Sequence, residues 1–372
     1  MPQLLGNSSS HEQAAEHYAS ESIVSIAIFI IIFIIGIPGN GLVIWVAGLK
    51  MKRSVNIVWF LNLAVADFIC CLSLPFSIVH LALHEHWLYG WLLCKVIPSV
   101  IIFTMFASVF LLTAISIDRC LLVMKPVWCQ NHRTVKSVSL ICSGIWILAF
   151  IFCCPVFHYR ETSTHDGKTE CGYNFGDHIA LDYVDSPVNE LQEAYSPLDY
   201  SGNDSWVNVY EGDYSVSLAS VAVNITRTVF GFLLPFGTMA VCYPLIGFKM
   251  HANQFHKPRN RMLRTIVLVV AAFFICWAPY HVVGILYLIP TLGTQLRQSL
   301  ILWDHLSTAL AYANSCMNPL LYVFVGRDFR AKAQQSLRGI LEGVFTEEPT
   351  HSIPYSLHRS KTSTEKDSSS TV

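Results

Sequence analysis

The chain has 372 residues, of which 53% are hydrophobic and 13% are charged, with 25 acidic residues against 24 Lys and Arg. Ordinary globular domains carry about 25% charged residues, and the mean hydropathy of this chain is +0.46. The composition therefore excludes a soluble enzyme of this length and predicts a protein that crosses a membrane several times.

The chain begins with a polar segment, 1–21, which contains an N-glycosylation acceptor at Asn7. The first apolar run, 23–49, follows directly and contains Pro38 and Gly39, which membrane helices tolerate. Each apolar run is long enough to cross a hydrocarbon core of about 30 Å as a helix. We therefore expect seven membrane spans, at 23–49, 56–83, 94–126, 138–157, 218–248, 265–289 and 299–325.

One long polar segment, 159–217, separates the fourth and fifth runs. It carries 12 acidic residues after Arg160 and one basic residue, Lys168. Its composition shows neither a helical nor a strand period, so we predict a loop over most of its length. Three residues in it are candidates for modification: Asn203 for glycosylation, and Tyr183 and Tyr200, in acidic surroundings, for sulfation.

After the seventh run, residues 327–341 place apolar and basic side chains on opposite sides of a helix. This pattern is typical of an amphipathic helix on a membrane surface. The remaining residues, 342–372, are rich in Ser and Thr and have the composition of a disordered tail.

Most Lys and Arg lie in 327–341 and in the connections that follow the first, third and fifth runs. The positive-inside rule places these segments in the cytoplasm, and the N-terminus 1–21 and the acidic segment 159–217 outside. The sequence thus predicts an all-α membrane protein. Residues 22–341 would form a seven-transmembrane helix bundle with a cytoplasmic amphipathic eighth helix and a long second extracellular loop, followed by a disordered tail, 342–372.

Of the 12 cysteines, only Cys94 and Cys171 fall on the outer side of this topology, where the environment is oxidising. We therefore predict a disulfide between them, which joins the acidic loop to the top of the third span. Because the sequence has no Cys-x-x-Cys motif or His/Cys cluster, it gives no sign of a transition-metal site.

Several short motifs lie one per span in a fixed order. They are Gly39-Asn40, Ala66-Asp67, Asp118-Arg119-Cys120, Trp146, Cys276-Trp277-Ala278-Pro279 and Asn318-Pro319-Leu320-Leu321-Tyr322. This ordered set resembles rhodopsin-like G protein-coupled receptors. The likeness is closer still to the anaphylatoxin receptors of complement in 45–51, 70–76, 105–116, 125–133 and Trp303-Asp304-His305.

The resemblance implies a plasma-membrane receptor, not an enzyme, that activates heterotrimeric G proteins. It implies that Asp118 holds Arg119 at rest, that Arg119 turns toward the G protein on activation, and that Trp277 and Pro279 form a hinge. The other activation residues it implies are Tyr243, Asn318, Pro319 and Tyr322. Receptor kinases would phosphorylate the tail and arrestin would bind it; lipid surrounds the spans, and we expect no nucleic-acid partner.

Asp67 is an ionisable residue at membrane depth, where a charge costs at least about 2.5–3.5 kcal/mol. Polar neighbours must therefore compensate it. The resemblance implies a Na⁺ ion held by Asp67 with Asn40, Ser108, Asn314 and Asn318, and the alternative is a neutral Asp67 in a polar network. No other cofactor is expected.

Arg227 interrupts an apolar run in the fifth span, and snorkelling to the interface is the alternative to a ligand role. The resemblance implies that Arg160, Arg227 and Asp304 hold the C-terminal Arg of a cationic anaphylatoxin peptide, which the acidic loop attracts. It thus implies a receptor for chemotaxis and inflammatory signalling. The alternatives are a receptor for another chemoattractant, such as a related anaphylatoxin or a formyl peptide, and a transporter or channel, which the lack of internal repeats disfavours.

Overall fold

The structure of the protein is a computed structural model that describes residues 6–165, 167–175, 217–252, 258–289, 294–325 and 334–335. The helices and strands named below belong to one compact unit, formed by residues 1–333, and residues 334–335 belong to a second. In this described part they follow one another as α1 (Gly6–Trp45), α2 (Val55–Ala82), α3 (Gly90–Met124), α4 (Pro126–His132), α5 (Val135–Tyr159), β1 (Arg160–His165), β2 (Lys168–Tyr173), α6 (Leu218–Thr228), α7 (Leu234–Ala252), α8 (Pro258–Leu286) and α9 (Thr294–Val325).

Seven helical spans form the bundle, as predicted. Within the described residues, six stretches are long and apolar enough to cross a membrane: Ser22–Lys50, Val55–Ala82, Gly90–Met124, Val135–Tyr159, Leu218–Lys249 and Ile266–Leu286. The seventh is α9, whose 32 residues exceed the length needed to span a bilayer and which packs against α1 and α8. The seven-helix architecture is therefore confirmed, with ends within a few residues of those predicted for most spans.

The third span is the central helix of the bundle. Of the apolar, membrane-spanning stretch of α3, 61% is buried inside the protein, whereas 28% is buried in the corresponding stretches of α1 and α5. Its hydroxyl side chains donate to carbonyls one turn earlier, as Thr113 Oγ1 does to Val109 O at 2.7 Å and Ser116 Oγ to Leu112 O at 2.8 Å. Polar residues are tolerated on this buried helix because the helix itself accepts their hydrogen bonds.

The fifth span is irregular just before Pro235. A π-helical segment, Val229–Leu233, joins α6 to α7, and Pro235 follows in the first turn of α7. Proline has no N–H to donate to the carbonyl of Gly231, so the regular α-helical pattern is interrupted there. Gly231 also faces α3 closely, since an added Cβ would lie 2.8 Å from Met105 Cε.

The first part of the acidic segment forms two strands that were not predicted, and the loop predicted over most of its length falls on 176–216, outside the described residues. Strands β1 and β2 form an antiparallel hairpin in which Arg160 pairs with Tyr173 and Thr162 with Cys171. Gly167, with φ of +80°, lies in the turn, where glycine is favoured.

Three contacts, from α3 and from the loop before it, hold this hairpin over the bundle. Cys171 forms a disulfide with Cys94 of α3, the pair that the sequence predicts. Lys95 Nζ donates to Arg160 O at 2.6 Å, and Trp87 N donates to Thr169 O at 2.7 Å. These tertiary contacts stabilise the hairpin. Because the anchoring residues lie mostly on other elements, the sequence of the two strands shows no periodic pattern.

Several predicted features fall outside the described residues. They include Tyr183, Tyr200 and Asn203 in the acidic loop, the tail 342–372, and the amphipathic helix 327–341 apart from Gln334 and Gln335. Asn7 lies within the helical backbone of α1, but its side chain is not among those described. The short cytoplasmic helix α4 was not predicted; Pro126 stands at its start, where proline suits the first turn of a helix.

Candidate functional site

The bundle contains a cavity of about 760 Å³ between the hairpin and the helices. This volume lies within the range of about 300–1,000 Å³ that ligand pockets occupy. Its floor includes Trp277, and its wall includes all three residues that were predicted to hold a ligand. The charged side chains that line it are Glu85, Arg160, Lys168, Glu170, Arg227 and Asp304.

Arg227 lies deep in this cavity and is 9% exposed, so it does not snorkel to a membrane surface. Its Nη1 donates to Tyr280 Oη at 2.6 Å, and its Nη2 donates to Asn224 Oδ1. Its guanidinium carbon lies 4.6 Å from the centroid of the Tyr280 ring. Its Nε is buried and has no hydrogen-bond partner among the described residues.

Arg160 lies at the junction of α5 and β1. Its Nη1 donates to Cys171 O at 2.8 Å, and its guanidinium lies over the Tyr173 ring at 4.1 Å. Its Nε, like that of Arg227, is buried without a partner in the described part of the chain. The hairpin and the disulfide thus hold one of the two guanidinium groups of the cavity in place.

Three carboxylates line the same cavity but differ in their partners. Glu170 pairs with Lys168, with its Oε1 and the lysine Nζ 2.6 Å apart. Glu85, in a left-handed backbone conformation with φ of +66°, contacts His305, with Oε1 and Nε2 3.3 Å apart, and the contact is an ion pair when the imidazole is protonated. Asp304, in α9, forms no ion pair with any described residue and is only partly buried. Asp304 is therefore the carboxylate better placed to receive a cation from a ligand.

Below the cavity lies a cluster of aromatic side chains around Trp277. This residue is 3% exposed and packs edge-on against Tyr280, with ring centroids 5.5 Å apart. Pro279 lies between them in α8. Tyr280 thus contacts Arg227 on one side and Trp277 on the other, and it connects the cavity to the predicted hinge.

The predicted cation site is a buried polar network. Asn318 Nδ2 donates to Asp67 Oδ2 at 2.6 Å, and Asn40 Nδ2 donates to Ser315 O at 2.8 Å. The Oδ1 atoms of Asn40, Asn314 and Asn318 are buried without partners among the described residues. All five residues named from the resemblance are at most 3% exposed: Asn40, Asp67, Ser108, Asn314 and Asn318.

Carboxylate and amide oxygens are the ligands that hard cations prefer. This donor set therefore fits a cation such as Na⁺, with Asp67 to supply the negative charge. The unpartnered amide oxygens would otherwise carry a desolvation cost.

The cytoplasmic end of α3 carries an ion cluster with one carboxylate and two guanidiniums. Asp118 Oδ2 lies 3.3 Å from Arg119 Nη2, as the resemblance implies for the resting state. Arg133, just after α4, binds Asp118 more closely, with its Nε 2.7 Å from Oδ1 and its Nη2 3.0 Å from Oδ2. Asn56 Oδ1 accepts from Arg119 Nη2 and from Arg133 Nη2, both at 2.7 Å.

Two further groups lie beside this cluster. Tyr243 Oη lies 3.0 Å from Ser116 Oγ, one turn before Arg119. Burial, and secondarily the Asp118 carboxylate, raises the pKa of the Cys129 thiol, so this thiol stays protonated and adds no charge. Pro319 is buried in α9, and Tyr322 belongs to the same helix, but its side chain is not among those described.

Sequence reasoning missed four residues that the structure places at these sites. Arg133 and Asn56 are far from Asp118 in sequence, so no local pattern connects them. Asn224 was not predicted as a site residue, although its spacing of three from Arg227 puts both on one helix face. The fourth, Tyr280, stands directly after the recognised Pro279.

Comparison with protein families gives one match that covers most of the chain. A family model described as "7 transmembrane receptor (rhodopsin family)" matches residues 39–186 and 207–322. The matched residues include every motif named above.

Curated relatives are similar over nearly the whole chain. The "C3a anaphylatoxin chemotactic receptor" of Rattus norvegicus is 41% identical over 90% of this chain and 92% of that protein. The protein of the same name from Homo sapiens is 40% identical over 89% of this chain and 92% of its own length. The "Chemerin-like receptor 1" of Mus musculus is 39% identical over 91% of this chain and 84% of its own length.

Proposed function

Since the chain belongs to the rhodopsin family of seven-transmembrane receptors, we propose that it is a receptor for the complement anaphylatoxin C3a that recognises the C-terminal Arg of that peptide. Members of this family are multi-pass receptors of the plasma membrane and are not enzymes. Family membership and the curated relatives support a chemoattractant peptide as the ligand and coupling to heterotrimeric G proteins. The choice among peptide ligands rests on the chemistry of the cavity.

One observation carries the proposal: Arg160, Arg227 and Asp304 line a single cavity. Both guanidiniums keep a buried Nε without a partner among the described residues, and a buried charged donor is costly unless it is paired. Arginine binds a carboxylate through two parallel hydrogen bonds. An arginine at the end of a peptide supplies that carboxylate for the two arginines and a guanidinium for Asp304.

A different chemoattractant is the second candidate, because the similarity to the mouse chemerin-like receptor covers as much of the chain. A peptide that ends in a neutral residue would satisfy Arg160 and Arg227 but would leave the Asp304 carboxylate without a cation. The response to the ligand's terminal side chain therefore separates the two candidates.

The proposal is tested by the charge at the peptide's C-terminus. We expect a synthetic arginine-terminated peptide to bind the native receptor about 30-fold to several thousand-fold more weakly as an amide than as a free acid, the cost of leaving one partner of a buried charge pair unpaired. The Arg227→Ala variant should bind the two forms within a few-fold of each other. Ligand displacement and a calcium or cAMP assay measure both effects.

Arg53→Ala is the matched control, because Arg53 is an exposed arginine on the cytoplasmic side. It should keep the full preference for the acid. A native receptor that binds acid and amide equally well would contradict the proposed site.

We also propose that the network around Asp67 binds Na⁺. Agonist affinity should then differ between NaCl and choline chloride at equal ionic strength. Asp67→Asn, which removes the charge but keeps the size, should abolish this dependence. An unchanged sodium effect in Asp67→Asn would contradict the proposal.

Binding of arrestin and receptor kinases to 342–372 stays a prediction, since the tail lies outside the described residues.

A further inference from the structure

Arg227 is held by residues of two helices. On α6, Asn224 Oδ1 accepts from Nη2, and Asn224 Nδ2 in turn donates to Ser220 O at 3.0 Å. On α8, Tyr280 accepts from Nη1 and places its ring under the guanidinium. These contacts fix the position and the plane of the guanidinium.

Gly284 lies one turn after Tyr280 on α8, on the same face of the helix. A Cβ added at Gly284 would lie 2.8 Å from Arg227 Nη2 and 3.3 Å from Asn224 Oδ1. The first distance is too short for a carbon atom, so the guanidinium occupies the space that a side chain here would need. Glycine inside a helix costs about 0.5–1 kcal/mol relative to alanine, so it is not the residue that the helix itself favours.

The clash falls on the far end of a flexible side chain and not on backbone atoms. A larger residue at this position would leave the helices in place and would push the guanidinium away from Asn224 or from the Tyr280 ring. The effect would therefore appear in ligand recognition and not in folding.

We infer that Gly284 is a positioning residue that determines specificity: its missing side chain keeps Arg227 where it can receive a ligand carboxylate. This inference rests on the proposed function, because it assigns the carboxylate to Arg227. It extends that function from the charged groups to the residue that makes room for one of them.

The test compares an arginine-terminated synthetic peptide as free acid and as amide on the full-length receptor in membranes. Gly284→Ala should lower affinity for the acid by about tenfold or more and leave affinity for the amide nearly unchanged, so the acid-to-amide ratio falls. Gly237→Ala is the matched control, since it also changes a helix glycine in the bundle and its added Cβ has no described neighbour within 4 Å. It should keep the native ratio.

A double-mutant cycle isolates the contact. Once Arg227→Ala has removed the guanidinium, Gly284→Ala should have no further effect on either peptide, because coupled residues are not additive. If Gly284→Ala fails to reach the cell surface, recovery of surface expression in the double variant still supports the contact. Failure of the double variant to recover overturns it.

Two outcomes separate this inference from the proposed function. If Gly284→Ala keeps the native acid-to-amide ratio while Arg227→Ala loses it, the inference about Gly284 is wrong and the proposed function stands. If Arg227→Ala also keeps the native ratio, the carboxylate does not bind at Arg227 and both fail.

Discussion

Replacing Asp304 with asparagine should weaken binding of an arginine-terminated peptide by about 30-fold to several thousand-fold, the range for removing one partner of a buried charge pair. Asp304 lines the cavity with both arginines and forms no ion pair with any described residue. Its carboxylate is therefore free to pair with the guanidinium of the ligand. Asparagine keeps the shape of the side chain, so the loss of affinity measures the contribution of the negative charge.

A peptide that ends in citrulline makes the experiment specific. Citrulline has nearly the shape of arginine but no charge, so the native receptor should bind the citrulline peptide much more weakly than the arginine peptide. Asp304→Asn should bind the two peptides about equally.

Glu85→Gln is the matched control for this variant. Glu85 lines the same cavity but already pairs with His305. It should therefore keep the preference for arginine over citrulline. If Asp304→Asn also keeps the preference, the terminal guanidinium binds elsewhere and the proposed orientation of the ligand is wrong.

Replacing Arg119 with alanine should abolish activation of G proteins while the receptor still binds its ligand. Arg119 is 25 residues beyond Cys94 along α3, which is roughly 38 Å at about 1.5 Å per residue. A side chain so far from the outer cavity cannot contact the ligand. Nucleotide exchange on the G protein and radioligand binding, measured on the same membranes, give the two readouts.

Arg53→Ala serves as the control for loss of a cytoplasmic positive charge and should signal normally. Arg119 is 8% exposed, so its replacement also tests packing. If Arg119→Ala lost ligand binding and surface expression as completely as it lost signalling, Arg119 would be a structural residue and this prediction would be wrong.

The spans were predictable because a helix that crosses the bilayer must be apolar over a length that matches its thickness. A helix that crosses about 30 Å of hydrocarbon needs about 20 apolar residues, and this requirement is met locally by each segment. The pairing of Cys94 with Cys171 was predictable for a similar reason, since the topology leaves only these two thiols outside.

The hairpin Arg160–Tyr173 was not predictable from its own residues, because its anchors lie on other elements. Lys95 and Trp87 donate hydrogen bonds to its backbone, and neither residue belongs to the strands. The same holds at Asp118, whose closest partner, Arg133, follows it by 15 residues across a turn and a short helix. Charge pairs of this kind become visible only when the chain is folded.

The cluster at Asp118 has a consequence for the barrier to activation. If Arg119 moves toward a G protein on activation, as predicted, Asp118 would not become an unpaired anion, because Arg133 also binds both of its oxygens. An uncompensated charge in such a place costs about 3–5 kcal/mol, and Asn56 likewise keeps one donor on its amide oxygen. Movement of Arg119 would therefore leave Asp118 paired with Arg133, and activation would avoid the cost of an unpaired charge.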